Sequence, residues 1–88
     1  MKVLVVEDDP GTRQGLEELL GTLDLDVRSA GTLAEAQAAL KGFAPDVCLT
    51  DLKLPDGDGL DFIRLARTAD AGPEIIVLTG HSSVDTAV

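Results

Sequence analysis

Acidic and hydroxyl side chains in this 88-residue sequence follow short apolar runs. Glu7 and Asp8 come directly after the first run. Asp51 ends another run, and Thr79 follows the last one. Three carboxylates in one crevice repel each other, and a hard divalent cation such as Mg2+ would offset that repulsion. Beside such an ion, a carboxylate can attack phosphorus as a nucleophile while a hydroxyl binds phosphoryl oxygens, so these residue types predict phosphoryl chemistry.

Each of these residues also has a purely structural interpretation. Glu7 and Asp8, together with Asp9, could be a helix-entry cluster favoured by the helix dipole. Asp51 could form a turn, and a lone threonine such as Thr79 is more often structural. Their coincidence at the ends of three predicted strands favours a shared site, because the carboxyl ends of parallel strands meet at one edge of a sheet, where ligands bind.

Short apolar runs alternate with amphipathic segments along the chain, which predicts alternating strands and helices. The predicted strands span residues 3–6, 26–30, 47–50 and 74–78. The predicted helices span residues 12–23 and 33–40, a third begins after Asp58, and a helix-like segment runs from 81 to 88. Strict alternation implies right-handed crossovers and a parallel sheet covered by helices on both faces. The second strand is the most polar and is expected at an edge.

The predicted helices combine apolar residues at helical spacing with polar residues suited to cap their starts. Asp9 or Thr12 is expected to cap the first helix. Thr32, with Glu35 at capping-box spacing, is expected to cap the second, and Asp58 the third. The apolar positions are Leu16, Leu19, Leu20 and Leu23, then Leu33, Ala36 and Leu40, and then Leu60, Ile63 and Ala66.

The overall composition excludes several classes of function. A net charge of −9 weighs against nucleic-acid binding, which depends on clustered Lys and Arg. The apolar runs are too short for a signal peptide or a membrane span, so a cytoplasmic protein is expected. The single cysteine, Cys48, excludes an internal disulfide, and its place in an apolar strand predicts a buried thiol.

Three segments carry a resemblance to a known family. Residues 3–9 read VLVVEDD, residues 45–59 read PDVCLTDLKLPDGDG, and residues 75–80 read IIVLTG. Taken in this order, they resemble the response-regulator receiver domains of two-component signalling, and the similarity covers essentially the whole chain. The resemblance implies an α/β, flavodoxin-like fold. Residues 79–82, TGHS, are most similar to receivers attached to ATPase-type transcription activators.

The resemblance also implies a role for each candidate site residue. Asp51 matches the aspartate that takes a phosphoryl group from a sensor histidine kinase. Asp8 matches the direct Mg2+ ligand, and Glu7 its acidic neighbour, which often acts through water. The backbone carbonyl of Lys53 would complete the metal shell, and Thr79 would contact the phosphoryl oxygens. A protein of this kind is a signalling domain that assists its own phosphorylation, not a turnover enzyme.

Receivers have a strand order of 2-1-3-4-5, and the fifth strand carries a lysine that pairs with the phosphoryl group. The lysines of this sequence are Lys2, Lys41 and Lys53, and none follows the fourth predicted strand. We therefore expect residues 1–88 to form a receiver that is incomplete at its C-terminal end, with four strands in the order 2-1-3-4. An exposed fourth strand would invite pairing with another chain, which predicts a homodimer through that edge or through the last helix.

Two hypotheses follow, and other classes fit less well. In the first, the chain is a receiver phosphorylated at Asp51. In the second, it has lost efficient phosphotransfer and acts as a dimerisation or interaction module. An aspartyl-phosphate phosphatase would need an acid at Lys53, and a calcium loop over residues 51–62 would need ligands where Pro55 and Phe62 stand. A nucleotide site after the first strand is disfavoured because the acidic residues there would repel a phosphate. His81 could be a phospho-carrier, but a histidine in a solvated loop is the favoured interpretation.

Overall fold

The computed structural model describes residues 1–51, 53, 54, 56–67 and 72–78 of the chain. Its strands are β1 (Lys2–Val6), β2 (Asp26–Ala30), β3 (Val47–Asp51), β4 (Lys53–Leu54), β5 (Gly57–Asp58) and β6 (Glu74–Leu78). Its helices are α1 (Pro10–Gly21), α2 (Leu33–Gly42) and α3 (Gly59–Arg67). None of the helices in these residues is long and apolar enough to cross a membrane.

Four strands form a parallel sheet in the order β2-β1-β3-β6. The order confirms the predicted 2-1-3-4 arrangement, since β6 is the fourth strand of the sequence prediction. Val3 to Val6 in β1 are buried on both faces, as expected for an aliphatic run in the middle of a parallel sheet. In the register of the sheet, Val6 lies beside Thr50 and Asp51 beside Leu78.

Helices cover both faces of the sheet. One face carries Leu4, Val6 and Cys48, which join the core cluster with α2 residues and with Phe62 of α3. Val5 points to the opposite face, as successive residues of a strand must. Ser29, beside Val5 in the register, donates a hydrogen bond to Glu17, which places α1 on that second face. The flavodoxin-like α/β class expected from the sequence is therefore confirmed.

The first helix differs from its prediction at both ends. α1 begins at Pro10 because the Asp9 carboxylate accepts a hydrogen bond from the Thr12 amide and so caps the helix, and proline is well tolerated at the first helical position. Of the predicted apolar positions, Leu16 and Leu20 are half-buried. Leu19 is 61% exposed, and Leu23 lies beyond the helix and is 62% exposed. Only half of the predicted apolar positions therefore contribute to packing.

The third helix buries a different residue from the one expected. The Asp58 carboxylate accepts a hydrogen bond from the Leu60 amide, which confirms its capping role. Leu60 itself is exposed, whereas Phe62 is fully buried and packs in the core with Ala66 one turn later. The prediction followed Leu60, Ile63 and Ala66 and was wrong at Leu60, because the large ring of Phe62 sets which side of the helix faces the sheet.

A short hairpin was not predicted at all. β4 and β5 pair antiparallel, with Lys53 opposite Asp58 and Leu54 opposite Gly57. Residues 53–58 are rich in Pro, Gly and Asp and do not alternate between apolar and polar side chains. The sequence pattern therefore predicted a loop here. Leu54 is buried in the core cluster and so anchors the hairpin to the domain.

The second helix is capped as predicted and ends in a strained residue. Thr32 accepts a hydrogen bond from the Glu35 amide, and the Glu35 carboxylate accepts one from the Gly31 amide. At the other end, Ala44 has a φ of 52° and its amide donates to the carbonyl of Ala39. That left-handed conformation is the one in which helices usually place glycine, because a Cβ atom is disfavoured there.

We therefore expect Ala44→Gly to raise the free energy of unfolding by about 0.5–1 kcal/mol. Urea unfolding followed by circular dichroism measures the change. Ala38→Gly is the matched control, since Ala38 is exposed in the interior of the same helix and its replacement should lower the stability by about 1 kcal/mol. A loss of stability in Ala44→Gly similar to that of the control would contradict the strain.

Candidate metal and phosphoryl-transfer site

Three carboxylates meet at the carboxyl edge of the parallel sheet. Glu7 and Asp8 follow directly after β1, and Asp51 is the last residue of β3, the neighbouring strand. One carboxylate oxygen from each residue lies within 4.8 Å of the others. The convergence predicted from the strand ends is therefore present for these three residues.

The three carboxylates differ in their contact with solvent. Glu7 is only 8% exposed, Asp51 is half-buried, and Asp8 is exposed. Burial raises the pKa of the Glu7 carboxyl above its usual value, and the nearby Asp8 and Asp51 raise it further. The Asp9 amide donates to Glu7 Oε2 at 3.3 Å and opposes this shift of the pKa without cancelling it. The site therefore disfavours its own full negative charge and would gain from a bound cation.

The raised pKa of Glu7 predicts a pH-dependent stability in the absence of metal. A carboxyl group whose pKa is raised in the folded state does not lower the free energy of unfolding while it is protonated in both the folded and the unfolded protein. It costs increasing stability as the pH rises from its unfolded value of about 4.5 through its folded pKa. The stability of Glu7→Gln should thus be close to that of the wild type near pH 4.5 and exceed it as the pH rises, until the difference levels off above the folded pKa of Glu7.

Urea midpoints measured without divalent cations between pH 4.5 and 8 check this expectation. That range avoids the opposite contribution of Asp9 and Asp56, because their lowered pKa values mean that they lose stabilising interactions only at more acidic pH. Glu18→Gln, at an exposed position of α1 away from the acidic cluster, makes the same chemical change and serves as the control. A constant difference between Glu7→Gln and the wild type across the range would contradict the assignment.

The donor set fits a Mg2+ ion. Mg2+ prefers oxygen ligands at about 2.1 Å, so two oxygens bound directly to one ion lie at most about 4.2 Å apart. Oxygens within 4.8 Å of each other meet that limit after a shift of a few tenths of an ångström, or with one carboxylate acting through water. Mg2+ usually retains several waters and takes one or two carboxylates directly, which matches an arrangement of one buried, one half-buried and one exposed acid.

The loop after β1 is fixed by contacts that the sequence did not reveal. The Glu7 amide donates to the Ala30 carbonyl at 3.0 Å, and Arg13 Nη1 donates to the Glu7 carbonyl at 3.0 Å. Arg13 also lies against Gly31, where a Cβ atom would collide with the guanidinium. An arginine in the first turn of a helix opposes the helix dipole, and that unfavourable placement was the available signal for a specific contact.

The end of β3 is held from within the strand. Thr50 is fully buried, and its hydroxyl donates to the Asp51 carbonyl at 3.0 Å. Cys48 is buried, as predicted, and burial raises the pKa of its thiol to about 11. A thiol that stays protonated at neutral pH is a poor nucleophile, which agrees with the predicted structural role of Cys48.

The other predicted site residues lie partly or wholly outside the described residues. The backbone of Lys53 begins β4, two residues after Asp51, which keeps its carbonyl near the end of β3 along the chain. Thr79 and His81 fall outside the described residues, as does the predicted helix of residues 81–88. Their roles stay predictions.

Known proteins match this chain over nearly its full length. A family profile for the response regulator receiver domain matches residues 3–88. The response regulator protein PilR of Pseudomonas aeruginosa is 40% identical over 87 residues, which are 99% of this chain and 20% of PilR. Further relatives are the cell cycle transcriptional regulator CtrA of Caulobacter vibrioides, at 36% identity, and the DNA-binding transcriptional activator DevR/DosR of Mycobacterium tuberculosis, at 40% identity. This chain spans 38% and 39% of their lengths.

Solved structures show the same fold. The non-phosphorylated HemR receiver domain from Leptospira biflexa matches with a TM-score of 0.84 and 30% identity, over 98% of this chain and 69% of that chain. The MaeR response regulator bound to beryllium trifluoride matches with a TM-score of 0.81 and 28% identity, over 99% of this chain and 73% of that chain. The profile match and these similarities agree with the strand order and the acidic edge: the chain belongs to the response regulator receiver domain family, the signalling domains of two-component response regulators.

Proposed function

We propose that Asp51 accepts a phosphoryl group from a sensor histidine kinase in the cytoplasm, in a reaction that requires Mg2+. The observation that supports this most is the clustering of Glu7, Asp8 and Asp51 at the carboxyl edge of the sheet in a chain of the receiver family. The relative MaeR is bound to beryllium trifluoride, a group of the size and charge of a phosphoryl group, which further supports a phosphoryl site in this fold.

In the proposed reaction, an oxygen of the Asp51 carboxylate attacks the phosphorus of a phosphohistidine. An O–P bond forms and the P–N bond breaks. The electron pair of the broken bond stays on the imidazole nitrogen, which takes up a proton, and Asp51 becomes an acyl phosphate. Asp51 ends β3 and is half-buried, so the residue that would act as the nucleophile keeps some contact with solvent.

The remaining residues would make this attack electrostatically feasible. Three carboxylates alone would repel a phosphoryl group, so Glu7 and Asp8 are proposed to hold the Mg2+ ion together with Asp51 and the Lys53 carbonyl. Bound Mg2+ neutralises charge on the phosphoryl oxygens. Thr79 is proposed to donate a hydrogen bond to one of those oxygens. Glu7 is buried, so solvent would screen its attraction to the cation less than that of the exposed Asp8.

Incubation with a small-molecule phosphodonor such as acetyl phosphate tests the proposal. With Mg2+ present, intact-protein mass spectrometry should show a gain of one phosphoryl group, and chelation of the metal with EDTA should prevent the gain. No mass gain in Mg2+ would contradict a self-sufficient phosphoryl-accepting site.

A second candidate function is an interaction module that pairs with another copy of the chain. β6 has one strand neighbour among the described residues, and its Ile76 and Val77 are 51% and 37% exposed, one on each face of the sheet. An apolar strand with an open edge can pair with an identical strand.

If this second candidate is correct, sedimentation equilibrium should give a mass that rises from monomer toward dimer with protein concentration. Ile76→Glu should keep the protein monomeric, because a charge on an apolar pairing surface is costly to bury. Leu60→Glu is the matched control, since Leu60 is an exposed apolar residue on a helix and not on the edge strand. A wild-type mass that stays monomeric at every concentration would exclude the module.

A further inference from the structure

The loop that follows Asp51 is tied to the start of α2 by a single carboxylate. Asp56, between β4 and β5, accepts hydrogen bonds from two successive backbone amides of α2. Its Oδ1 lies 2.6 Å from the Leu33 nitrogen, and its Oδ2 lies 3.0 Å from the Ala34 nitrogen. These bonds join segments 22 and 23 residues apart in the chain, so they fix the hairpin in space as well as capping the helix.

The contact continues through the neighbouring residue. A Cβ atom at Gly57 would lie only 2.6 Å from Leu33 Cδ2, so the hairpin backbone packs directly on the first turn of α2. Leu54, at the other end of the hairpin turn, is buried in the core cluster, against which Leu33 also packs. The hairpin and the helix start therefore share one packed surface.

Other residues already cap α2 in the usual local way. Thr32 accepts from the Glu35 amide, and Glu35 accepts from the Gly31 amide. These local contacts do not involve the first-turn amides of Leu33 and Ala34. Both of those amides donate hydrogen bonds to Asp56. Asp56 thus completes the helix start from a distant segment, and the positive end of the helix dipole favours its charge.

We infer that Asp56 is a positioning residue of the acidic site, which couples cation binding there to the first turn of α2. The inference rests on the proposed function, since the hairpin begins two residues after Asp51 and carries the Lys53 carbonyl that is proposed as a metal ligand. Mg2+ binding through the Lys53 carbonyl requires the hairpin to be in one position. The affinity for Mg2+ is therefore higher when the hydrogen bonds of Asp56 hold the hairpin there. By thermodynamic reciprocity, Mg2+ binding strengthens the bonds between Asp56 and α2.

The inference predicts two linked effects. Asp56→Ala should weaken Mg2+ binding by about 3- to 10-fold, although no proposed metal ligand is changed. This loss is smaller than the 10- to 100-fold typical of residues that hydrogen-bond directly to a metal-ligating side chain. In the wild type, Mg2+ should slow hydrogen exchange at the Leu33 and Ala34 amides. First-turn amides of a helix normally exchange fast, so this protection reports the Asp56 contact.

The experiment uses nuclear magnetic resonance on the full chain, at pH 7 and constant ionic strength. Mg2+ affinity is read from chemical-shift titration, and exchange is read at the two amides with and without saturating Mg2+. Asp56→Asn retains one acceptor oxygen and should lie between the wild type and Asp56→Ala in both measurements. Gly57→Ala changes no charge and forces Leu33 or the hairpin to shift, so it should weaken Mg2+ binding as well. It also keeps the test available if Asp56→Ala does not fold.

Thr32→Ala is the control for a merely structural role. It removes a cap from the same helix start but leaves the link to the hairpin. We expect it to destabilise α2 while its Mg2+ affinity stays within about twofold of the wild type. Equal Mg2+ affinity in Asp56→Ala and the wild type, or equal losses in Asp56→Ala and Thr32→Ala, would overturn the inference and leave the proposed function intact. A wild type that binds no Mg2+ would overturn both.

Discussion

Asp51→Asn is expected to abolish phosphoryl uptake from acetyl phosphate in the presence of Mg2+. An amide oxygen carries no negative charge and cannot form the stable acyl phosphate that the carboxylate forms, so no single-phosphoryl mass gain should remain. The same change removes one of three neighbouring negative charges. In the metal-free protein it should therefore relieve part of the repulsion on the buried Glu7 carboxylate and stabilise the folded state.

Asp26→Asn is the matched control for this prediction. Asp26 is an exposed aspartate at the start of the edge strand β2, away from the acidic cluster. Its replacement changes the net charge by the same amount and should leave both phosphoryl uptake and stability at wild-type values. Residual uptake in Asp51→Asn equal to that of the control would place the accepting group elsewhere in the chain.

Mg2+ is expected to stabilise the wild type strongly and Asp8→Asn weakly. A ligand that binds only the folded state at a concentration 100 times its dissociation constant stabilises it by about 2.7 kcal/mol, which raises the melting temperature of a domain of this size by about 10–20 °C. Relief of the repulsion among Glu7, Asp8 and Asp51 is the physical source of this stabilisation. Asp8→Asn removes both a ligand and part of that repulsion, so most of the shift should disappear.

Thermal unfolding in MgCl2 and in NaCl of equal ionic strength separates specific binding from screening. General screening of a net charge of −9 would raise the melting temperature equally in both salts. Equal shifts in the two salts for the wild type, or an undiminished Mg2+ shift in Asp8→Asn, would contradict a metal site at these residues.

Sequence reasoning predicted the sheet and the acidic cluster because both depend on patterns within single segments. A fully aliphatic run such as Val3 to Val6 fits a strand buried on both faces and little else. Alternation of strands with helices then fixes parallel pairing, and parallel pairing brings the acids that follow β1 and β3 to one edge. The meeting of Glu7, Asp8 and Asp51 followed from these two steps, whereas the strand order followed from the resemblance to receiver domains.

The features that sequence reasoning missed depend on contacts between distant segments. Asp56 reads locally as a turn residue, yet it accepts hydrogen bonds from a helix start that lies more than twenty residues earlier. Arg13 reads as a solvated charge on α1, yet its guanidinium binds the carbonyl of Glu7. Nothing in the neighbouring sequence specifies either partner, because each depends on how the sheet brings the segments together.

The buried faces of α1 and α3 could not be predicted from the spacing of apolar residues either. Spacing alone allowed Leu60 or Phe62 to face the sheet, and the larger buried area of the ring decided in favour of Phe62. On α1, the leucine spacing predicted one apolar face, but the described neighbours cover only part of it and leave Leu19 exposed. In both cases the outcome depends on what lies opposite the helix, which a periodicity does not contain.

The most direct test of the central claim is to locate the phosphoryl group in the chain. After reaction with acetyl phosphate and Mg2+, treatment with sodium borohydride reduces an aspartyl phosphate to homoserine, and proteolysis with tandem mass spectrometry identifies the converted residue. We predict homoserine at position 51 alone, and none when Mg2+ is chelated. Conversion at Asp8 or another carboxylate, or phosphorylation without conversion of Asp51, would contradict the account.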